Sequence, residues 1–118
     1  MAPGSGDEAK RFCVYCITCL PNGRKYFGLT GGDPRVRLAR HRKSPPKRMR
    51  ADAQQHAPFD RHFSFEIVDR AQYRASAEYR EAQLISQHGT LGPRGYNTAP
   101  CAPARLPRFW AAKAGGMK

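Results

Sequence analysis

Residues 12–30 read FCVYCITCLPNGRKYFGLT, and this stretch decides the fold. Two runs rich in β-branched, aromatic and cysteine side chains, 12–20 and 24–30, lie on either side of Pro21-Asn22-Gly23. Asn-Gly between two such runs is typical of a β-hairpin, because both central residues of its tight turn need a positive φ. The stretch therefore predicts two antiparallel strands near the start of the chain.

The length of the hairpin loop determines which residues oppose each other. If Asn22-Gly23 is a two-residue loop, Tyr15 lies opposite Thr30 and Tyr26 lies opposite Cys19. Side chains alternate along a strand, so both tyrosines then point to the same face of the hairpin. A longer loop would shift this pairing.

The segments after the hairpin predict helices and one more strand. Asp33-Pro34 is a good helix start, with a capping residue followed by proline at the first helical position. Gly89 ends the last apolar-periodic segment and is a typical helix stop. We expect an α+β fold in which the hairpin and a third strand form a small three-stranded antiparallel sheet flanked by helices. In chain order the later elements are a helix over 34–43, a weakly amphipathic helix over 47–56, a strand over 63–68, and a helix from 71 or 76 to 88.

The size and charge of the chain limit the classes of function. It has 118 residues, which suits one domain, and carries a formal net charge of +12, which attracts polyanions. No stretch approaches the roughly 20 apolar residues of a spanning helix, and the N-terminus lacks the apolar core of a signal peptide. We expect a cytoplasmic protein without a membrane partner. Its parts are a flexible N-terminus over 1–10, a folded domain over 11–98 and a basic Pro/Ala-rich tail over 99–118.

Three of the four cysteines form a C-x2-C-x2-C pattern, which raises the question of a metal site. In a strand, Cys13 and Cys19 face one way and Cys16 the other, so one tetrahedral zinc could not easily collect all three. Cys101 is distant and lies among prolines. We therefore expect free, mostly buried thiols.

The segment 35–50 contains eight basic residues and no acidic residue. Such a run is often only a solvated face, but cations that repel one another also match a phosphate backbone. We expect these side chains to bind nucleic acid mostly through phosphates, without reading sequence. The eight are Arg35, Arg37, Arg40, Arg42, Lys43, Lys47, Arg48 and Arg50.

Glu81 is the most informative single residue. It shares a helical stripe with Ala77, Leu84, Ile85 and His88, and the apolar members mark that stripe as facing the core. A carboxylate there must find a cation or change its protonation state. The plain interpretation is a salt bridge to an arginine; the functional one is a metal ligand or catalytic group.

The two hairpin tyrosines and His41 can each be interpreted either as structural residues or as catalytic ones. Tyrosines on a hairpin are common for packing, and a phenol with a pKa near 10 is a poor base unless nearby cations favour the phenolate. His41 lies one helical turn after Arg37 and is either a proton carrier or a surface histidine.

Taken in order, these residues resemble the GIY-YIG nuclease family. Cys13-Val14-Tyr15 resembles its first signature, Gly-Ile-Tyr, and Tyr26-Phe27-Gly28 resembles its second, Tyr-Ile-Gly. Arg37 and His41 match the Arg-x-x-x-His of the following helix, Glu81 falls on the metal-binding glutamate, and Gly95-Tyr96-Asn97 matches the closing asparagine. The Gly-Tyr-Asn ending resembles the phage and homing-endonuclease branch of the family more than the nucleotide-excision-repair branch. Cysteine replaces the first glycine, and phenylalanine replaces the isoleucine of the second signature.

The resemblance implies a DNA endonuclease that hydrolyses phosphodiester bonds with one Mg²⁺ (or Mn²⁺) ion per active site. Glu81 would hold the ion, Tyr15 would activate the attacking water with help from His41, and Arg37 would neutralise transition-state charge. Tyr26 would bond within the same cluster, and Asn97 would buttress it. The implied catalytic set is Tyr15, Tyr26, Arg37, His41, Glu81 and Asn97.

One ion and one site imply that a monomer nicks one strand, so a double-strand cut needs two visits or a DNA-induced dimer. The alternative function is a non-catalytic basic module that binds DNA or RNA through residues 35–50. A basic protein that folds only on binding RNA, in ribosomal style, is a third possibility, against which the hairpin and the last helix argue.

Overall fold

The structure is a computed structural model that describes residues 11–98, and these form a three-stranded antiparallel sheet flanked by helices, as predicted. The strand order is β2-β1-β3, so the first strand of the hairpin is central. The expectations for residues 1–10, 99–118 and Cys101 fall outside the described residues. The elements are β1 (Phe12–Cys19), β2 (Lys25–Thr30), α1 (Pro34–Lys43), a 3₁₀ turn (Lys47–Met49), α2 (Arg50–Gln55), α3 (Phe59–His62), β3 (Phe63–Ala71) and α4 (Arg74–His88).

The hairpin loop is longer than the predicted two residues. The N–H of Cys19 donates to the carbonyl of Arg24 at 2.9 Å, and the N–H of Gly23 donates to the carbonyl of Cys19 at 2.7 Å. The loop therefore spans residues 20–23. Gly23 takes a positive φ of 76°, but Asn22 does not, so the turn lacks the two left-handed residues of the predicted type.

This longer loop shifts the strand pairing by two residues, and the predicted register was wrong. A shift of two is one full repeat of the pleat, so every side chain keeps its face. The prediction that Tyr15 and Tyr26 share a face therefore survives the error. The observed partners are Gly28 for Tyr15 and Ile17 for Tyr26, in place of Thr30 and Cys19.

The helices begin and end close to their sequence signals. The Asp33 side chain accepts a hydrogen bond from the backbone N–H of Arg35 at 2.9 Å and caps α1, which begins at Pro34. Gly89 ends α4 in the left-handed conformation with a φ of 63°. The segment predicted as one helix over 47–56 is a 3₁₀ turn followed by α2, and the short α3 was not predicted.

Each face of the sheet carries its own apolar core. On one face, Tyr15 and Ile17 pack with Met49 and Phe59 from the segments between α1 and β3. On the other, Val14 packs with the α4 side chains of one helical stripe, Ala77, Leu84 and Ile85. The sheet is thus the middle layer, and α4 lies on the side away from the hairpin tyrosines.

The cysteines follow this alternation. Cys16 belongs to the α4-side core, whereas Cys19 belongs to the opposite one. Cys13, Cys16 and Cys19 are all buried free thiols. No helix among residues 11–98 has the length and apolar character that crossing a membrane requires.

Candidate active site

Tyr15, Tyr26 and His41 form a compact cluster on the hairpin face opposite α4. Tyr15 is fully buried on the central strand, and its hydroxyl lies 2.7 Å from Nε2 of His41. The ring of Tyr26 meets the ring of His41 edge-on, with centroids 5.5 Å apart, and lies 6.3 Å from that of Tyr15. The predicted common face of the two tyrosines thus becomes one shared site with the α1 histidine.

Gly28 makes room for the Tyr15 ring. It is the cross-strand partner of Tyr15, and a Cβ at this position would overlap the outer ring carbons and hydroxyl of the tyrosine. Because Gly28 has no side chain, the phenol can lie across β2, the edge strand, while Phe65 stacks on its ring at 5.0 Å. The glycine of the second signature therefore has a steric function here.

Helix α1 carries two functional side chains on one face. Arg37 and His41 are one turn apart, and both reach the tyrosines. The positive charge of Arg37 acts to lower the pKa of both Tyr15 and Tyr26, against the larger effect of burial. The Asp33 cap and Pro34 set where the helix begins, and this fixes which residues face the sheet.

The protonation states of the Tyr15–His41 pair follow from their surroundings. Burial is the main cause that raises the pKa of Tyr15 well above its usual value, and the neighbouring Tyr26 adds to the rise. Burial also lowers the pKa of His41, with further lowering by Arg37 and Arg40. Tyr15 is therefore a neutral phenol that shares a hydrogen bond with a neutral imidazole.

Glu81 acts on the same cluster through its charge, although α4 packs on the opposite face of the sheet. It is half-buried, as its helical stripe predicted, and its negative charge raises the pKa of both Tyr15 and Tyr26. For Tyr26 it is the second largest cause after burial. The carboxylate, the arginine and the two phenols thus act on one another although α4 and α1 are separate elements.

The donor set suits a divalent ion that is only partly held by protein. Glu81 supplies a hard carboxylate, and within residues 11–98 no group of three His, Cys, Asp or Glu side chains forms a complete cage. Mg²⁺ is commonly bound through one or two carboxylates, with water and substrate phosphate completing its shell. Glu81 beside a phosphate therefore fits Mg²⁺ or Mn²⁺, and does not fit a structural zinc site.

Asn97 lies outside this cluster and binds the backbone of β2. Its amide nitrogen donates to the carbonyl of Phe27 at 2.9 Å, and its side-chain oxygen accepts from the N–H of Phe27 at 3.1 Å. Thr90 donates to the same oxygen at 2.8 Å. Phe27 stands between Tyr26 and Gly28, so Asn97 supports the site through the strand and does not contact the reacting groups.

Arg48 is used within the protein. Its guanidinium donates to the backbone carbonyls of Thr90, Leu91, Gly92 and Asn97. Since its terminal nitrogens are occupied by four carbonyls, we remove Arg48 from the set expected to bind phosphate. Sequence reasoning missed this function because the acceptors lie more than 40 residues further along the chain and are backbone atoms.

The other basic residues of 35–50 are less uniform than their sequence indicates. Arg35 pairs with Asp33 at 3.2 Å, and Arg42 pairs with Asp60 at 2.8 Å, so acids from outside the run neutralise part of it. The Nε of Arg50 donates to a backbone carbonyl, that of Pro45. The side chains of Arg40, Lys43 and Lys47 are exposed to solvent.

A second cluster fixes the hairpin loop. Asp52 of α2 accepts hydrogen bonds from the hydroxyl of Tyr96 at 2.6 Å and from the amide of Asn22 at 2.9 Å, and it pairs with Arg24 at 3.3 Å. The Tyr96 bond is the main cause that lowers the pKa of Asp52. No sequence pattern connected these four residues, because three separate segments supply them.

Comparison with known proteins extends this description. A sequence model described as the GIY-YIG catalytic domain matches residues 11–97. A solved structure, a point mutant of the catalytic domain of intron endonuclease I-TevI, is similar with a TM-score of 0.64 and 21% identity. The similarity covers 75% of this chain and 93% of that one, and at this identity it shows a shared fold. No curated protein sequence matches the chain.

Proposed function

The chain belongs to the GIY-YIG family, whose nuclease domain implies DNA endonuclease activity, and on that premise we propose a divalent-metal-dependent enzyme that nicks one DNA strand at a time. The observation that carries the proposal is that a histidine, an arginine and a glutamate all act on one phenol, that of Tyr15. Tyr15 hydrogen-bonds His41, and both the Arg37 cation and the Glu81 carboxylate act on it.

Tyr15 is the group we propose to activate the attacking water. It takes a proton from the water while its own phenolic proton passes to Nε2 of His41. This relay avoids a free phenolate, which the burial of Tyr15 makes unfavourable. His41 is neutral and can accept the proton, and its lowered pKa lets it release the proton afterwards.

Arg37 and Glu81 are the groups we propose to stabilise the charge that develops during the reaction. Arg37 neutralises the negative charge that builds on the phosphoryl group as water attacks. Glu81 would hold the divalent ion, with water and a phosphate oxygen as the remaining ligands. When bound, the ion supplies Lewis-acid stabilisation of the leaving 3′ oxygen.

The nicking mode and partner follow from the number of sites. One cluster in one chain can cut one strand per encounter, so a double-strand break needs two encounters or a second copy recruited on DNA. The substrate we propose is DNA, attracted by a chain of net charge +12. The same charge would also serve a non-catalytic binding module, which is the alternative that the experiment must exclude.

The test is nicking of supercoiled plasmid with Mg²⁺, with EDTA, and with Glu81→Gln in place of the wild type. We expect nicking that needs the metal and falls by about 10³-fold or more in the variant, while DNA binding persists. Glu66→Gln is the matched control, because Glu66 is an exposed carboxylate on β3 opposite Cys16 and is not among the charges that act on Tyr15 or Tyr26.

Nicking that Glu81→Gln leaves unchanged would overturn the assignment of the metal ligand. Tight, salt-sensitive binding without cleavage of any plasmid strand would favour the binding-module alternative instead.

A further inference from the structure

A surface groove among residues 11–98 lies apart from the tyrosine cluster, since none of its lining residues belongs to that cluster. It is a cavity of about 370 Å³ between the end of α1 and the side of α2. Three cations line it, Arg42, Lys43 and Arg50, together with the hydrogen-bonding side chains of Ser44 and Gln54. No carboxylate of the described residues is part of its lining. We call it the α1–α2 groove.

Both arginines of the groove are held in place through one nitrogen. The Nε of Arg42 donates to the Asp60 carboxylate at 2.8 Å, and the Nε of Arg50 donates to the Pro45 carbonyl at 3.2 Å. Within residues 11–98 neither arginine makes a hydrogen bond through its terminal amino groups. The two guanidinium forks are thus oriented beforehand, which reduces the side-chain entropy lost when they bind a ligand.

The lining has the chemistry of a phosphodiester site. Arginine forks bind phosphate oxygens with two parallel hydrogen bonds, and Lys43, Ser44 and Gln54 are the other side-chain types that contact phosphate and sugar. Pro45 and Ala53 add apolar surface against which a sugar can pack. Three cations in one groove favour an anionic ligand over a neutral one.

The position of the groove connects it to the active site. Arg42 follows His41 directly on α1, yet His41 faces Tyr15 whereas Arg42 faces Asp60 and the groove. The charges that act on Tyr15 and His41 come from Arg37, Arg40 and Glu81, and not from the groove cations.

We propose that the α1–α2 groove binds one backbone phosphate of the DNA strand that flanks the scissile phosphate. The proposal rests on the proposed endonuclease function, because it identifies the groove occupant as part of the DNA that is cleaved. The groove supplies affinity and direction along the strand. Chemistry stays at the tyrosine cluster.

The test is the salt dependence of binding to a duplex oligonucleotide, measured by fluorescence anisotropy in EDTA so that no cleavage occurs. The double variant Arg42→Gln with Arg50→Gln should lower the slope of log K against log salt by about 0.9, the value for one phosphate contact. Lys43→Gln should also lower the affinity for the duplex. Lys43 is exposed, so its loss does not threaten folding.

Arg74→Gln is the matched control. Arg74 is also an exposed arginine anchored through Nε, here to Glu78 at 3.1 Å, but it begins α4 on the other face of the sheet. It should leave the salt slope unchanged. A circular-dichroism melt of each variant identifies any loss of fold.

The outcomes separate the two proposals. A reduced slope in the groove variants, with no plasmid nicking by the wild type, would support the groove as a DNA phosphate site and overturn the endonuclease, and with it the placement of the groove beside a scissile phosphate. Normal nicking with a slope equal to that of the Arg74 control would overturn the groove. Loss of inorganic phosphate binding in the groove variants with an unchanged duplex slope would also overturn it, since the groove would then hold free phosphate.

Discussion

Tyr15 and His41 share a hydrogen bond between two neutral groups. Burial acts oppositely on the two groups, because it disfavours a phenolate and an imidazolium alike. It raises the pKa of Tyr15 and lowers that of His41, so both are neutral near pH 7. A neutral donor beside a neutral acceptor is the arrangement that a proton relay from water needs.

The relay predicts a particular pH profile of cleavage. His41 has a pKa below its ordinary value near 6.5, so the rate should be level above about pH 6.5 and fall only at lower pH as the imidazole takes a proton. His41→Gln should lower the rate by about 10²- to 10⁴-fold and remove this acid limb. Single-turnover nicking measured across pH is the assay.

His62→Gln is the control for that profile, since His62 bonds the carbonyl of Pro58 and lies outside the tyrosine cluster. An acid limb that persists unchanged in His41→Gln would assign the titration to another group and remove His41 from the relay.

At the level of elements, the segment after α4 closes the free edge of β2. The N–H of Tyr96 donates to the carbonyl of Lys25 at 2.9 Å, and Asn97 bonds both backbone groups of Phe27. An edge strand left open would invite pairing with another chain. Gly95 crosses Thr90 so closely that a Cβ would overlap it, which fixes the path of the segment.

Arg48 also holds this closing segment, through hydrogen bonds to its backbone carbonyls. Arg48→Ala would leave carbonyls of residues 90–97 without their charged donor and should destabilise the fold by about 2 to 3 kcal/mol. For a domain of this size that lowers the melting temperature by more than about 8 °C. Lys47→Ala, an exposed neighbour on the same 3₁₀ turn, should change it little.

Thermal melts of Arg48→Ala and Lys47→Ala test whether the guanidinium of Arg48 stabilises the fold. Equal melting temperatures would mean that water replaces the guanidinium without loss, and that the segment is held by Asn97 and Tyr96 alone.

At the scale of the whole molecule, the excess of cations has two opposite effects in salt. A net charge of +12 repels itself in the folded state, and added salt screens this repulsion. Raising sodium chloride from about 0.05 M to about 0.5 M should therefore increase the melting temperature by a few degrees, while it weakens DNA binding by orders of magnitude.

Calorimetry and anisotropy in the same salt series check both effects. Chloride is preferable to sulfate, because sulfate stabilises proteins by exclusion from their surface. A melting temperature that falls as chloride is added would show that internal ion pairs such as Arg42–Asp60 outweigh the repulsion.

The sequence alone determined the three strands, the two longest helices, the α+β sheet and the shared face of Tyr15 and Tyr26, because hydrophobic period, capping residues and turn residues act over a few neighbouring positions. It could not determine the hairpin register, since the loop length depends on which contacts Asn22 makes, and Asn22 bonds Asp52 of a distant helix.

Only the tertiary structure decided what each cation does. Arg37, Arg42 and Arg48 look alike in the sequence, yet one reaches Tyr15, one lines the α1–α2 groove and one binds backbone carbonyls. The physical reason is that a guanidinium takes its function from the acceptors that surround it. Those acceptors come from segments that only folding brings together.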